Sequence, residues 1–439
     1  MLIDKKLYPR NQYLQKLIAF KDTEQVKVIT GIRRCGKSSL LKMMIEHLKQ
    51  EGITDKQIIE MNFESYRFRK MNVNDFYQYV QEHIQPDNKM YLFFDELQRV
   101  EGWEDAVNSF RVDFYCDIYI TGSNAYLLSS EYSTYLSGRC VEINMLPLSF
   151  KEFIEFHGFV ISTATSPLSG KSKLVLNKNG EQYDSKEVFE AYMRFGGMPG
   201  IVDVGLEQEK ALILLDGIYS TVIMRDVLER EKRKEERQIT DPILLRKICL
   251  FLADNIGNSV SLSTIGNTLA NEGLLSPRDR KTTPSTHTIT AYVQALQKAY
   301  LFYEIKRFDI KGKDYLRTLG KYYIVDIGLR NLLLGFRNRD SGHVLENIVF
   351  FELLRRGYDV AIGKVGDTEI DFIASKPTEK LYIQVTESML SEAVRTRELA
   401  PLTKIKDNYP KMVLSLDQGL DSSYDGIASI NIINWLMEE

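Results

Sequence analysis

Short continuous apolar runs alternate with segments of helical apolar spacing from the N-terminus to about residue 157. The runs are Val26 to Thr30, Ile58 to Phe63, Tyr91 to Asp95, Ile118 to Thr121 and Val141 to Met145. Strands apolar on both faces, with helices between them, predict a parallel sheet covered on both sides: an α/β nucleotide-binding domain. Residues 161–184 are polar and turn-rich and read as a long loop or a small insertion. Lys186 to about Glu229 has helical spacing, interrupted at Gly196-Gly197-Met198-Pro199. The charge-dense stretch Glu229 to Arg237 then reads as a solvated helix end or linker, and a domain boundary is expected there.

From Pro242 the pattern runs helix, helix, helix and then two β-like stretches. Ile243 to Asn255 and Leu262 to Asn271 are amphipathic, and Thr286 to Tyr300 opens on a hydroxyl cap. Leu301 to Phe308, a turn at Lys311-Gly312-Lys313 and Tyr322 to Val325 follow, and helices before a hairpin predict a winged helix. A last unit begins near Gly342. It has a helix from His343 to Arg356, strands at Asp359 to Ile362, Glu369 to Ser375 and Lys380 to Thr386, a helix near Ser391 to Lys406, and a final strand Met412 to Leu416. That is a small α/β domain with its own core.

At 439 residues the chain is too long for one ordinary core. Hydrophobic residues at 44% and charged residues at 27% fit a folded globular protein. No apolar run reaches the roughly 18–20 residues of a membrane span, and the N-terminus lacks an apolar signal core, so a cytoplasmic protein is expected. Cys35, Cys116, Cys140 and Cys249 are scattered, which argues against structural zinc and a disulfide framework. A net charge of −3 gives no global attraction to nucleic acid, so any DNA contact has to come from a local basic patch.

Gly31-Ile32-Arg33-Arg34-Cys35-Gly36-Lys37-Ser38 fits G-x-x-x-x-G-K-[ST], and Ser39 continues it into a helix. The match follows an apolar strand, as the chemistry requires. Backbone N–H groups and the helix N-terminus cradle phosphate, Lys37 neutralises the β and γ oxygens of ATP, and the Ser38 hydroxyl ligates Mg²⁺. Met90 to Phe94 leads into Asp95-Glu96, which places two acids at a strand end: Asp95 for Mg²⁺ through water, Glu96 as general base. The run Ile118 to Thr121 ends in Gly122-Ser123-Asn124, where Ser123 and Asn124 are each candidates to touch the γ-phosphate or orient water; an ordinary turn is the alternative. Arg139, ahead of the next strand, is either an arginine finger or a plain surface residue.

These residues, taken in order, resemble a family of prokaryotic P-loop ATPases of the AAA+ and STAND type that joins an AAA core to a C-terminal domain of unknown function. The stretches that carry it are VITGIRRCGKSSLL, YLFFDELQ, ITGSNAYLLSSEYSTYLSGR, LPLSFKEF, GGMP, KYYIVDIGL, LENIVFFELLRRGYDV, EIDFIAS and YIQV. They extend from about Tyr8 to Gln384. The resemblance implies that Arg139 sits at the finger position, that Gly196 to Pro199 belongs to a helical lid, and that a winged helix precedes a restriction-endonuclease-like, PD-(D/E)XK, fold. The expected domains are then a P-loop core at 1–157, insertion and lid at 158–228, a winged helix with linker at 229–335 and a nuclease-like domain at 336–439.

Endonuclease-like folds hold Mg²⁺ with acids on a helix and a strand, and a lysine on the next strand assists the water. Here Glu346 and Asp371 fill the first two places, but Gln384 stands for an acid and Thr386 for the lysine. A binding-only relic is therefore favoured over a nuclease, with Lys364 as a displaced ammonium on the other side and ion pairs to Arg355 or Arg356 as the plain alternative. For DNA, the third winged-helix element offers Thr288, Thr290, Tyr292, Gln294 and Lys298, flanked by Arg278, Arg280, Lys281, Lys311 and Lys313. Neighbouring Asp279, Glu304, Asp309 and Asp314 offset these cations, so weak, salt-dependent binding is expected; mere docking between domains is the alternative. The leading expectation is ATP hydrolysis that repositions these modules on a partner, with DNA one candidate. A slow scaffold ATPase recruiting a protein, or an ATP-regulated nuclease, are the alternatives. The sequence leaves a homo-oligomer open, together with action of Arg139 in cis or in trans.

Overall fold

The computed structural model describes residues 8–123, 125, 138–165, 172–229, 239–271, 284–310, 312, 314–315, 319–337, 340–418 and 423–438. The chain forms two compact units, Met1–Pro147 with Lys298–Tyr300, and Leu148–Gln297 with Leu301–Glu439.

In the first unit, β1 (Val26–Thr30), β2 (Ile58–Asn62), β3 (Met90–Asp95), β4 (Cys116–Thr121) and β5 (Cys140–Asn144) form one sheet in the order β2-β3-β4-β1-β5. Every pairing is parallel. The apolar runs of the sequence are these strands. β1 and β3 are buried at every position because helices cover both faces. One face is closed by α3 (Val73–His83) and α4 (Trp103–Asp113), where Phe76 meets Phe94 and Phe110 edge to face at 4.8 and 5.2 Å. α1 (Asn11–Ala19) and α2 (Lys37–Gln50) are the other helices described here.

The second unit opens with the capping box Ser149/Glu152 ahead of the helix Phe150–Phe156. Residues expected as a loop or insertion form a three-stranded antiparallel sheet, β6 (Val160–Thr165), β7 (Ser172–Lys178) and β8 (Glu181–Tyr183). Its strands are mostly polar, with Val175 and Leu176 buried, so the apolar signal that marks a core strand is weak.

Helices Ser185–Phe195, Gly200–Val204 and Gln208–Thr221 bracket the Gly196–Pro199 turn. That turn is fastened to the helix Ile327–Leu334. The buried Asp326 carboxylate accepts from Gly197 N at 2.7 Å and from Leu329 N at 3.1 Å, and Asn331 Nδ2 donates to the Met193 and Arg194 carbonyls. A Cβ on Gly328 would stand 2.1 Å from the Phe195 carbonyl oxygen, so only glycine permits the approach. The GGMP and YIVDIGL stretches, far apart in sequence, are thus the two sides of one joint.

Helices Pro242–Asp254, Leu262–Asn271 and Thr286–Lys298 accompany a small sheet of β9 (Ser259–Val260), which follows the first of them, and β10 (Phe302–Ile305) and β13 (Gly320–Ile324), which follow the third, in the order β10-β13-β9. The expected hairpin arm Leu301 to Phe308 is divided. β10 pairs with β13, whereas β11 (Arg307–Asp309) leaves after Lys306 to pair with β12 (Asp314–Tyr315) and, in parallel, with β14 (Asp359–Val365). Tyr292, expected on an exposed face, is buried, and its hydroxyl accepts from Thr240 N and Asp241 N. Arg278, Asp279, Arg280, Lys281, Lys311 and Lys313 lie outside the described residues; Gln294 is exposed.

The last sheet contains eight strands in the order β12-β11-β14-β15-β16-β17-β19-β18. β15 is Thr368–Lys376, β16 Glu379–Val385 and β17 Lys411–Ser415. β17 is not the final strand: β18 (Ser423–Tyr424), β19 (Ile427–Asn431) and the helix Ile432–Met437 follow. The expected divisions at 158–228, 229–335 and 336–439 lie in this second unit apart from Lys298–Tyr300. No helix among the described residues is long and apolar enough to cross a membrane.

Burial raises the Asp326 pKa to about 6, against the pull of the backbone N–H groups of Gly197 and Leu329. Its folded value lies above its ordinary one, so its contribution to stability is present below pH ~4 and is lost as pH rises through about 6. In urea unfolding, the stability difference between wild type and Asp326→Asn is expected to shrink from pH 4 to 7; a constant difference counts against this origin. Asp326→Ala is expected to cost roughly 1–3 kcal/mol for each backbone N–H left unpaired.

Candidate functional site

The loop Gly31–Ser38 joins β1 to α2 and is folded by local constraints. Gly31 and Gly36 have φ of +135° and +109°, and a Cβ on Gly31 would lie 2.1 Å from the Met145 carbonyl oxygen at the end of β5. Arg10, buried, ties the loop from outside: Nη1 donates to the Cys35 carbonyl at 3.2 Å and Nη2 to that of Leu146 at 3.0 Å. The helix α2 starts at Lys37 behind Gly36 with no side-chain cap, leaving its first N–H groups for an anion. Lys37 is buried, and its ammonium donates to the Gly31 and Ile32 carbonyls at 2.9 and 3.0 Å. Ile32 and Cys35 are buried, while Arg34 is exposed with φ of +66°.

β4 lies between the loop strand β1 and the acid strand β3, so its last residues fill the gap between loop and acids. Thr121 binds both acids: its hydroxyl donates to Asp95 Oδ1 at 2.5 Å and accepts from Glu96 N at 3.0 Å. Asn62, at the end of β2, donates to Asp95 Oδ2 at 2.7 Å. Ser38 and Asp95, the two residues expected to hold the metal, line the same pocket. Burial raises the Asp95 pKa, and the Thr121 and Ser38 hydrogen bonds oppose it. Glu96 adopts φ of +57°, uncommon for a non-glycine, which turns its carboxylate out of the strand line. Gln98 Nε2 and, more distantly, Ser123 Oγ donate to Glu96 Oε2, at 2.6 and 3.4 Å. A pocket of about 490 Å³ borders this edge, lined in part by Ser38, Asn62, Glu64 and Asp95.

The residues present therefore fit Mg²⁺ with a nucleotide phosphate: hydroxyl and carboxylate oxygens together, an ammonium and helix N–H groups beside them. The signals missed in the sequence were Thr121, Asn62, Arg10 and the inward course of Arg33, whose guanidinium donates to Glu64 Oε1 at 3.1 Å. All are ordinary polar residues whose meaning comes from the sheet order. Asn124 lies outside the described residues.

Arg139 is elsewhere. It precedes β5, whose first residue Cys140 pairs with Val26, the first of β1, while the loop follows Thr30. Gly31 comes five residues after Val26, so the loop begins about 16 Å along the sheet from the level of Cys140 at ~3.3 Å per residue. Arg139 donates to Asn108 at the loop-distal edge and does not reach its own loop.

In the second unit the acids singled out in the sequence do come together, around a cation that was not. Lys321, on β13, places its ammonium 2.9 Å from Glu369, 3.5 Å from Glu346 and 4.0 Å from Asp371. It is 5% exposed. Burial works to lower its pKa, but the carboxylates of Glu346, Asp371 and Glu369 outweigh that and raise it, keeping the ammonium charged. Tyr323 donates to Glu346 at 3.0 Å, and Val385 N donates to Asp371 at 2.8 Å. Gln384 turns to Glu398, its Nε2 donating at 3.1 Å. Arg355 and Arg356, the alternative partners considered for these acids, pair with Glu352. Lys321 already pairs with these acids, and Gln384 in the place of an acid leaves the set one carboxylate short of the arrangement that an endonuclease-like fold uses for Mg²⁺.

Residues 23–154 match the AAA domain, and residues 186–340 match a domain of unknown function (DUF8612). An uncharacterized protein of Haemophilus influenzae is 41% identical over 440 residues, covering 99% of this chain and 100% of that protein. The uncharacterized protein MJ1544 of Methanocaldococcus jannaschii is 32% identical over 392 residues, covering 87% of this chain and 79% of its own. Among solved structures, the Walker-type ATPase PABY2304 of Pyrococcus abyssi gives a TM-score of 0.47 at 17% identity, covering 74% of this chain and 95% of that one. A single-residue variant of RuvB from Thermotoga maritima gives 0.32 at 13%, covering 68% and 90%.

Removing the buried cation tests the cluster. Lys321→Ala leaves carboxylates crowded and unpaired, and is expected to destabilise the second unit by about 3–5 kcal/mol. Adding Asp371→Asn is expected to recover part of that loss in a double-mutant cycle read by urea unfolding. A single-variant effect below about 1 kcal/mol, as for an exposed ion pair, would contradict the arrangement.

Proposed function

Since the chain belongs to one family with the Haemophilus influenzae and Methanocaldococcus jannaschii proteins and carries the AAA domain at residues 23–154, we propose that it is a Mg²⁺-dependent ATPase. The observation that carries this reading is the convergence of Lys37, Ser38, Asp95 and Glu96 at one edge of a parallel sheet, with Ser38 and Asp95 lining one pocket.

In this reading the loop N–H groups and Lys37 hold the β- and γ-phosphates of ATP, and Ser38 with Asp95 holds Mg²⁺. The metal, when bound, neutralises phosphate charge. Glu96 takes a proton from a water aimed at the γ-phosphorus. The water oxygen forms the new P–O bond, and the bond to the β–γ bridging oxygen breaks with its electron pair left on ADP. Lys37 gives up its loop carbonyls for phosphate oxygens, an exchange of one charge-assisted set for a stronger one.

The second unit, in the same reading, binds a partner and does not cut it, which Gln384 in the place of an acid and Thr386 in the place of a lysine support. The partner proposed is duplex DNA, on the strength of three helices and an antiparallel sheet between Pro242 and Ile324.

Phosphate release tests the engine. Lys37→Ala is expected to abolish nucleotide binding, and Glu96→Gln to keep ATP bound while turnover falls at least about 100-fold. Equal turnover by Glu96→Gln and wild type removes the assigned base. Turnover with duplex DNA at low and physiological salt tests the partner: stimulation that fades with salt is expected, and none at either salt removes DNA. Nicking of supercoiled plasmid in Mg²⁺ or Mn²⁺ that is lost in Asp371→Ala would overturn the non-cutting assignment.

A further inference from the structure

The third residue of the phosphate loop is an arginine, and its side chain turns inward. Arg33 is 8% exposed, although it belongs to a loop at the sheet edge. Its guanidinium lies where three strand ends meet. Nη1 donates to Glu64 Oε1, beyond β2, at 3.1 Å; Nη2 donates to Ser123 Oγ, beyond β4, at 3.4 Å and stands 3.7 Å from Glu96 Oε2, beyond β3. Two of these contacts are long, and both are to residues beside which the attacking water and terminal phosphate must sit if Glu96 is the base. Glu64 has a second cation, with Arg99 Nη2 donating to the same Oε1 at 2.9 Å. When Arg33 moves, that carboxylate keeps a charged partner.

We propose that Arg33 is a γ-phosphate-binding residue acting within its own chain, which exchanges its carboxylate partners for terminal phosphate oxygens when ATP occupies the loop. This rests on the ATPase reading above. The physical case is one of competition. A guanidinium presents donors in a planar fork matched to phosphate, and a phosphoryl oxygen set carries more charge than the Glu96 carboxylate it would displace. The same exchange separates Arg33 from Glu96 Oε2, which keeps the Gln98 amide as a donor. ADP lacks the terminal phosphate and cannot drive the exchange. The loop then distinguishes ATP from ADP with its own third residue, and charge on the γ-phosphoryl group is met without an arginine from a second copy. Arg139, about 16 Å along the sheet from the loop, has no part in this.

The test is equilibrium binding and turnover together. For Arg33→Ala, affinity for the slowly hydrolysed analogue ATPγS is expected to fall at least about tenfold while ADP affinity changes less than about threefold; a buried pair that only shaped the loop would weaken both equally. Turnover is expected to fall about 10³-fold or more, the scale of a missing finger, with Arg33→Lys recovering part of the ATPγS preference. Equal losses for ADP and ATPγS, or wild-type turnover in a folded Arg33→Ala, overturn the proposal. Mixing Arg33→Ala with Lys37→Ala chains separates cis from trans: no recovery of turnover is expected, whereas recovery means that a neighbour supplies the guanidinium and the cis assignment falls. An inactive wild type that nevertheless shows the ADP/ATPγS split in Arg33→Ala would sink the hydrolysis reading alone and leave the γ-phosphate contact standing.

Discussion

The parallel order β2-β3-β4-β1-β5 makes the loop strand and the acid strand second neighbours, so the end of β4 must stand between them. From that single constraint the chemistry of the first unit is assembled. Thr121 reaches Asp95 and Glu96 with one hydroxyl, and Ser123 reaches Glu96 and Arg33 with another. Were β1 and β3 adjacent, at ~4.8 Å, there would be no room for a phosphate group flanked by polar side chains on both sides. The loop itself depends on the neighbouring strand, because Gly31 crosses the Met145 carbonyl at a separation only a glycine allows.

Both units place a buried cation among carboxylates, and their surroundings give the two clusters different characters. Arg33 lies near a pocket, and its pairs run between residues just past the strand ends; an incoming anion can replace them. Lys321 is fixed on a paired strand, and its acids come from a helix and from β15 of the eight-stranded sheet, with Tyr323 and Val385 N filling their other lone pairs. Charge pairs of the second sort are costly to disassemble once formed, since each ion leaves behind an unpaired opposite charge. One cluster suits exchange of partners and the other suits permanence.

The first unit was legible because continuous apolar strands, a glycine-spaced loop and an acid pair leave strong local signals. Val26–Thr30, Met90–Asp95 and the start of α2 at Lys37 lie where the pattern put them. What could not be read was long-range pairing. Nothing local distinguishes Lys321 from other lysines, and only the packing of β13 beside Glu346 and Asp371 reveals it. Arg33 looked like one of two loop arginines, until the fold buried it and exposed its neighbour Arg34. Tyr292 falls at a position that helical spacing would leave outside, yet two backbone N–H groups at Thr240 and Asp241 draw it in. The polar meander at Val160–Tyr183 and the strands after β17 are short or weakly apolar, and such segments escape a reading by periodicity.

The switch of sheets at Lys306 reaches beyond the fold. β10 stays with β13, and one residue later β11 begins the outer edge of the eight-stranded sheet beside β14. The helical module and the C-terminal sheet therefore share strands across any line drawn between them, and the central lysine of the sheet's acid cluster belongs to the helical side. Neither part is an exchangeable cassette. A gene segment beginning near residue 336 would encode a sheet stripped of two edge strands and of its internal counter-ion.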